Sequence, residues 1–207
     1  DIILNRTYYV PEPILNVPKL PSILQKYIGN GLNIYKLPET NMRYFGGIDV
    51  ASGLGGNTDN STLCLLDLNG EQILQFARND IPVYKLVDIV TEIGYFYNYA
   101  MLLCEKNSYG LDLINRLVKE KQYVNVLKTT GRRKWEYGWN TDSVSKTKLV
   151  SDCKQVFEEG LILINDKDTL QEMQIYQEVN GSFGNAKGEG RRDDRVDSLM
   201  LAVQNLK

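Results

Sequence analysis

The stretch Tyr44-Phe45-Gly46-Gly47-Ile48-Asp49 is an apolar run that ends in a carboxylate. Ala100-Met101-Leu102-Leu103-Cys104 is a second apolar run, and Glu105 follows it directly. Short continuous apolar runs predict strands that are buried on both faces of a sheet. A carboxylate at the end of such a strand is costly to bury unless a metal, a partner or solvent receives it. The two runs therefore predict both the centre of the fold and the sheet edge that carries its chemistry.

A third acidic group opens the last helical pattern, which covers residues 196–206. Asp193, Asp194 and Asp197 lie at this helix start, and the last two share one helix face because they are three residues apart. Two strand ends and a helix start that meet at one sheet edge form an oxygen-rich site for hard divalent cations. Two-metal phosphodiester hydrolysis uses such a site, so the sequence predicts a metal-dependent nuclease.

The acidic residues can be given separate roles in a two-cation site. Asp49 is the best candidate to bridge both cations, Glu105 could hold one, and Asp194 with Asp197 could hold the other. Asp193 and Asp59 are further candidate ligands.

Structural interpretations compete with these roles. Asp193 could be the N-cap of the last helix, and Asp194 could simply complement the helix dipole. Asp197 could pair with Arg195 or Arg192, and Asp59 could be a turn residue. Asn107 could orient Glu105 or cap the next helix, and Ser108 could also provide that cap.

The remaining patterns predict a mixed α/β order of strands and helices. Asn69-Gly70 between two apolar runs is a strong hairpin signal, so the first three strands should form an antiparallel meander. The predicted strands are 44–51, 61–68, 71–78, 100–104, 124–127 and 161–164. The predicted helices cover 83–99, the segment after Ser108, the segment through 149–157, 168–178 and 196–206. A polar hairpin is predicted over 129–141 and a glycine-rich loop over 181–190.

Two segments follow from composition. Residues 1–43 carry five of the six prolines and predict a linker or an N-terminal arm, with a short helix near 22–27. Residues 44–207 predict one domain with a full core.

Composition also excludes several chemistries. The chain has no histidine, which excludes a Ser-His-Asp or Cys-His triad and leaves a zinc site without support. The three cysteines are widely spaced, which favours reduced, buried thiols in a cytosolic setting. No run approaches the roughly 20 apolar residues that a membrane span needs, and no signal peptide is predicted.

The net charge of −2 does not indicate a nucleic-acid binder, but the charge distribution does. Residues 116–154 hold ten Lys or Arg against four Asp or Glu. Basic residues interleaved with aromatic ones suit a phosphate backbone and exposed bases, although a solvated hairpin has the same pattern. The candidate DNA-binding residues, which flank Trp135, Tyr137 and Trp139, are Arg132, Arg133, Lys134, Lys146 and Lys148. Lys146 and Lys148 could instead neutralise the carboxylates.

The order of elements and four motifs together resemble the ribonuclease-H-like nuclease domain of tailed-bacteriophage terminase large subunits. The motifs are 47–51 with 59–62, Cys104 to Gly110, Gly138 to Thr141 with Lys146 and Lys148, and Asp193 to Leu199. Some members of that family carry a histidine in the last motif, where this chain has aspartates. The choice of ligand among these aspartates therefore stays open.

The resemblance implies an endonuclease that cuts concatemeric double-stranded DNA with two Mg²⁺ or Mn²⁺ ions. It implies an ATPase domain before residue 1. Nothing in this chain matches the phosphate-binding loop motif of that domain, so motor activity is not expected within it. It also implies a portal protein and a small terminase subunit as partners, and a location in the host cell cytoplasm without secretion.

Other classes remain open. Actin-like ATPases also place an aspartate and a glycine turn after the first strand, but they need a second domain for which this chain has no room. A ribonuclease-H-like resolvase or transposase is the nearest enzymatic alternative. A non-catalytic DNA-binding or docking module would keep the basic hairpin without needing all the acidic positions.

Overall fold

A computed structural model of the chain describes residues 9–130, 134–179, 182–185 and 192–207. Its central sheet has five strands in these residues: β1 Leu32–Ile34, β2 Tyr44–Asp49, β3 Ser61–Asp67, β4 Gln72–Arg78 and β5 Met101–Cys104. The strand order is β1-β4-β3-β2-β5. β2, β3 and β4 form the antiparallel meander, and β5 is parallel to β2. The predicted mixed α/β sheet is confirmed.

Helices and two small hairpins surround the sheet. The helices are α1 Ser22–Gln25, α2 Val83–Phe96, α3 Ser108–Asn115, α4 Ser143–Glu158, α5 Lys167–Ile175 and α6 Asp194–Leu206, with a π-helical turn at Arg116–Glu120 after α3. One hairpin pairs β6 Lys128–Thr130 with β7 Trp135–Tyr137, and the other pairs β8 Tyr176–Val179 with β9 Ser182–Asn185. Within the described residues, no helix is both long enough and apolar enough to cross a membrane.

The sheet separates two hydrophobic clusters because alternate residues of its central strands point to opposite faces. Leu63 and Leu65 pack with α2 and α3 on one face, whereas Cys64 and Leu66 pack with α4 and α6 on the other. All three cysteines are buried and free.

The Gly46-Gly47 pair lets α6 lie directly on the backbone of β2. A Cβ atom at Gly47 would be 2.0 Å from the Ser198 carbonyl oxygen and 2.2 Å from the Ala202 nitrogen. Gly47 lies two residues before Asp49, and Ser198 follows Asp197. The close contact therefore sets the spacing between the end of β2 and the first turn of α6.

The N-terminal segment packs against the domain and extends the sheet. β1 pairs with β4, and Leu20 and Leu24 join the hydrophobic core. The sheet therefore begins before residue 44, where the sequence placed its first strand. The functional division at residue 43 stays a prediction.

Four local predictions were wrong. Residues 124–127 and 161–164 are not full strands, since each makes a single parallel bridge, through Val126 and Leu163. Ser108 is not the cap of α3 but its first residue. The cap is Asn107, whose side chain accepts a hydrogen bond from the Gly110 amide. Part of the predicted glycine-rich loop is the strand β9; residues 181 and 186–190 lie outside the described residues.

Candidate functional site

The six acidic residues singled out from the sequence line one cavity of about 520 Å³. They come from the ends of β2 and β5, the loop before β3 and the start of α6: Asp49, Asp59, Glu105, Asp193, Asp194 and Asp197. The described residues that line this cavity include no lysine or arginine. We call it the acidic cavity. The structure brings these side chains together, and their role as metal ligands stays a prediction.

Asp49 and Glu105 lie side by side because β2 and β5 run parallel. Ile48 pairs with Cys104 in the register, so the next residue of each strand leaves the sheet at the same edge. Asn107 joins the two acids, since its Nδ2 atom lies 3.2 Å from Asp49 Oδ1 and 3.3 Å from Glu105 Oε2. The same side chain caps α3 through its Oδ1 atom, at 2.7 Å from the Gly110 amide. Both functions that the sequence left open for Asn107 are therefore present.

Asp194 is buried at the start of α6 and is tied to β3. Its Oδ2 atom accepts from the Asn60 amide at 2.8 Å, and Thr62 Oγ1 donates to its carbonyl oxygen at 2.7 Å. Burial raises the pKa of Asp194 to about 6, although the Asn60 hydrogen bond acts in the opposite direction.

Asp197 faces the cavity from the next turn of α6 and pairs with Lys146 of α4. The Lys146 ammonium lies 2.6 Å from both carboxylate oxygens, which agrees with a neutralising role for this lysine. Burial nevertheless raises the pKa of Asp197 to about 7. The alternative ion pair of Asp197 with Arg195 is not formed, because Arg195 pairs with Glu172 and Asp168.

Asp49 lies at the centre of this charge cluster. Burial, followed by the charges of Glu105 and Asp197, raises the pKa of Asp49 well above its ordinary value. Enclosed carboxylates that repel one another favour a bound proton or a bound cation. The arrangement can therefore take up positive charge.

The carboxylates surround the cavity without closing on a common point. Across the described parts of the chain, no group of three or more His, Cys, Asp or Glu side chains is gathered tightly enough to hold a metal ion in this arrangement. The donor set still fits hard cations, because it consists of oxygen atoms only.

Asp59 and Asp193 lie at the edge of the group. Asp59 is exposed, whereas Asp193 is half-buried and its Oδ2 atom accepts from the Asn185 amide at 3.3 Å. Asp193 occupies the N-cap position of α6, but its side chain makes no capping hydrogen bond. Its interpretation as a side-chain cap is therefore wrong.

The candidate DNA-binding residues are spread over several places. Lys146 pairs with Asp197 but does not line the acidic cavity, and Lys134 is exposed beside β7. Lys148 pairs with Asp152 on α4 and with Gln204 of α6 at 3.1 Å, so it faces away from the acids. Arg132 and Arg133 lie outside the described residues.

The segment that leaves the β6–β7 hairpin pairs with the strand end that carries Glu105. Trp139, just after β7, pairs with Glu105: the Trp139 amide donates to the Cys104 carbonyl at 2.8 Å, and its carbonyl accepts from the Lys106 amide at 2.7 Å. A second cavity of about 670 Å³ lies under the hairpin, where Lys106 pairs with Glu136 at 2.5 Å. The hairpin is therefore coupled by backbone hydrogen bonds to a strand that carries a candidate ligand.

The chain resembles known proteins in structure rather than in sequence. No protein-family model and no curated protein sequence matches it. Among solved structures, the large terminase nuclease of thermophilic phage G20c with bound cobalt superposes with a TM-score of 0.66 at 21% identity, covering 84% of this chain and 87% of that one. The same nuclease with bound magnesium gives 0.65 at 23% identity, covering 84% and 87%. The large terminase nuclease domain of Thermus phage P74-26 gives 0.64 at 20% identity, covering 84% of each.

This chain has the fold of the large terminase nucleases. The resemblance inferred from the sequence motifs is thus confirmed at the level of the fold. The acidic cavity lies at the sheet edge of this terminase-nuclease fold where β2, β5 and α6 meet.

The roles of two contributors to the site cannot be predicted from the sequence. Asn60 lies within the 59–62 motif, but its amide contact to Asp194 joins residues 134 positions apart. Glu172 was not singled out, although its carboxylate lies at the start of α6. Only the folded arrangement brings these groups to the acids.

Proposed function

We propose that this chain is the metal-dependent endonuclease domain of a viral DNA-packaging terminase, which cuts concatemeric double-stranded DNA. The observation that carries the proposal is the meeting of Asp49, Glu105, Asp194 and Asp197 at one cavity on the terminase-nuclease fold. Residues 44–207 are assigned as the nuclease domain and 1–43 as the arm that would join it to an ATPase domain.

We assign Mg²⁺ or Mn²⁺ as the cofactor, in two copies. Crystal structures of the G20c nuclease contain magnesium, cobalt or zinc, which supports a divalent cation at the corresponding fold. Asp49 would bridge, Glu105 would hold one cation, and Asp194 with Asp197 would hold the other; Asp193 and Asp59 could complete the set. Bound cations would activate the attacking water and stabilise the leaving oxygen.

The residues of the chain have their own parts in this reaction. Asn107 keeps Asp49 and Glu105 adjacent through one amide group. Lys146 holds positive charge against Asp197, which limits repulsion among the acids before a cation arrives. The DNA backbone would be bound by Lys146, Lys148, Lys134, Arg132 and Arg133, and Trp135, which follows Lys134, is two-thirds exposed.

The test is incubation of supercoiled plasmid with this chain and Mn²⁺ or Mg²⁺. We expect nicking that EDTA abolishes and that Asp49→Asn lowers by at least about a hundredfold, since it removes the bridging carboxylate. Asp88→Asn is the matched control, because Asp88 pairs with Lys121 and does not line the acidic cavity. Undiminished cleavage by Asp49→Asn would contradict the assignment.

The alternatives give different results in the same experiment. A non-catalytic docking module would bind DNA equally well before and after Asp49→Asn and would nick it in neither case. A resolvase or transposase nuclease would cut branched or end-specific substrates in preference to plasmid. A portal protein, a small terminase subunit and a host-cytoplasmic location complete the proposal.

A further inference from the structure

The first turn of α6 is capped by a residue from another helix. Glu172 of α5 places its Oε2 atom 2.8 Å from the Arg195 amide and 3.3 Å from the Val196 amide. The first N–H groups of a helix have no partner inside the helix, and an N-cap side chain usually accepts from them. Since Asp193 makes no such bond, Glu172 fills this role.

The second oxygen of Glu172 fixes the direction of Arg195. Its Oε1 atom lies 2.8 Å from Arg195 Nη1, and Arg195 Nη2 lies 3.0 Å from Asp168. The Arg195 side chain is thus held against α5 and does not line the acidic cavity. Asp194 and Asp197, its neighbours in sequence, line that cavity instead.

Because Glu172 caps α6, the Asp193 side chain does not have to bond to the first amides of that helix. A capping aspartate turns its carboxylate onto its own helix. Asp193 instead lines the cavity and accepts from the Asn185 amide. Glu172 can hold α6 firmly because it is only 8% exposed.

We propose that Glu172 is a positioning residue for the acidic cavity. It fixes the start and the rotation of α6, so that Asp193, Asp194 and Asp197 all face the cavity while Arg195 faces α5. The inference rests on the proposed function, because the groups that Glu172 positions are the proposed cation ligands.

The test compares Glu172→Gln and Glu172→Ala with the matched control Asp168→Asn, all in the full chain. Asp168 also contacts Arg195, but it is exposed and no hydrogen bond joins it to the α6 amides in the described structure. Mn²⁺ affinity is measured by calorimetry, and exchange of the Arg195 and Val196 amides is measured by NMR without metal. Circular dichroism confirms folding, and Glu172→Gln retains the shape and one acceptor oxygen if the alanine variant unfolds.

We expect Glu172→Ala to weaken Mn²⁺ binding about tenfold or more, as outer partners of metal ligands commonly do. Glu172→Gln should show a smaller loss, and Asp168→Asn should stay within about twofold of the unmodified chain. Exchange of the two amides should rise at least tenfold in the alanine variant and less in the glutamine variant.

Two results would overturn the inference: unchanged amide exchange in Glu172→Ala, or Mn²⁺ affinity equal to that of the unmodified chain despite faster exchange. Failure of the unmodified chain to bind Mn²⁺ would overturn the proposed function instead. In that case the exchange data still decide whether Glu172 holds the start of α6.

Discussion

Asp166 and Asp49 are both enclosed by protein, and they differ in what surrounds them. Asp166 is 1% exposed and accepts from Asn33, Tyr35 and both the amide and the hydroxyl of Thr169. Asp49 receives a hydrogen bond from Asn107 and faces the like charges of Glu105 and Asp197. A buried carboxylate with a full set of donors stabilises a fold, whereas one placed among other carboxylates is typical of a functional site.

The surroundings of Asp166 and of Asp49 also differ in the kind of contact that joins segments distant in the sequence. The Asp166 cluster connects β1 to α5 across more than a hundred residues through side-chain hydrogen bonds, such as that from Tyr35 at 2.7 Å. The acidic cavity depends on the backbone contact between Gly47 and Ser198. The following substitutions test each side of this contrast.

Replacing Asp166 should have the largest effect on stability. Asp166→Ala leaves the buried donors of Thr169 and the partly buried donors of Asn33 and Tyr35 without their acceptor, so the free energy of unfolding should fall by about 3–5 kcal/mol. Urea unfolding of the metal-free chain measures it. The control Asp168→Ala, at an exposed neighbouring position, should cost about 0.5 kcal/mol or less. An equal loss of unfolding free energy in Asp166→Ala and Asp168→Ala would refute the structural role of Asp166.

Gly47→Ala should come next, with a loss of roughly 3 kcal/mol, because its Cβ would meet the backbone of α6. The matched control is Gly46→Ala, whose Cβ would be 2.7 Å from Leu102 Cδ2 and 2.8 Å from Leu65 Cδ2. Those are side-chain ends that can shift, so about 1 kcal/mol is expected. Urea unfolding ranks the pair, and a larger loss for Gly46→Ala would contradict the backbone contact.

The acidic cavity should make the metal-free chain less stable as pH rises. The folded pKa values of about 6 for Asp194 and about 7 for Asp197 lie above the ordinary value of 3.8, so the folded state binds these protons more tightly than the unfolded state. Their favourable contribution is complete below pH 3.8 and is lost as pH rises toward 7.

Unfolding in EDTA at pH 5 and pH 7 should reveal a decrease in the free energy of unfolding, of which Asp197 alone contributes about 2 kcal/mol and which Asp197→Asn reduces by that amount. Asp152→Asn is the control. Burial acts to raise the pKa of Asp152, but hydrogen bonds from Lys148, Lys207 and Gln204 lower it to about 2, outside this window. If Asp197→Asn shows the same loss of stability between pH 5 and pH 7 as the unmodified chain, groups other than Asp197 cause that loss.

Tyr35→Phe should have the smallest effect, about 1.5 kcal/mol, because Asp166 keeps its other donors. Plasmid nicking should be unchanged, since Tyr35 lies away from the acidic cavity. Tyr84→Phe, at an exposed tyrosine, provides the reference for losing a hydroxyl. Reduced nicking by Tyr35→Phe alone would show that the two regions are coupled.

The sequence predicted those features that depend on neighbouring residues. The apolar runs ending at Asp49 and Glu105 and the Asn69-Gly70 turn indicate their own structure locally, and the sheet confirmed them. The Asp166 cluster and the Glu172 cap could not be predicted, because their partners come from distant segments that only the fold brings together. The predicted strand over 124–127 was wrong for a related reason. The segment has a strand-like pattern, but only Val126 forms a bridge to β5.

The position of the two tryptophans gives the molecule a built-in optical signal. Trp135 and Trp139 are the two tryptophans of the chain, and both belong to the hairpin segment beside Glu105. Trp135 is 67% exposed, whereas Trp139 is partly buried, so their emission should differ in wavelength and in accessibility to quenchers. Intrinsic fluorescence of the unlabelled chain should therefore report events at the hairpin, including the arrival of cations or DNA, in real time.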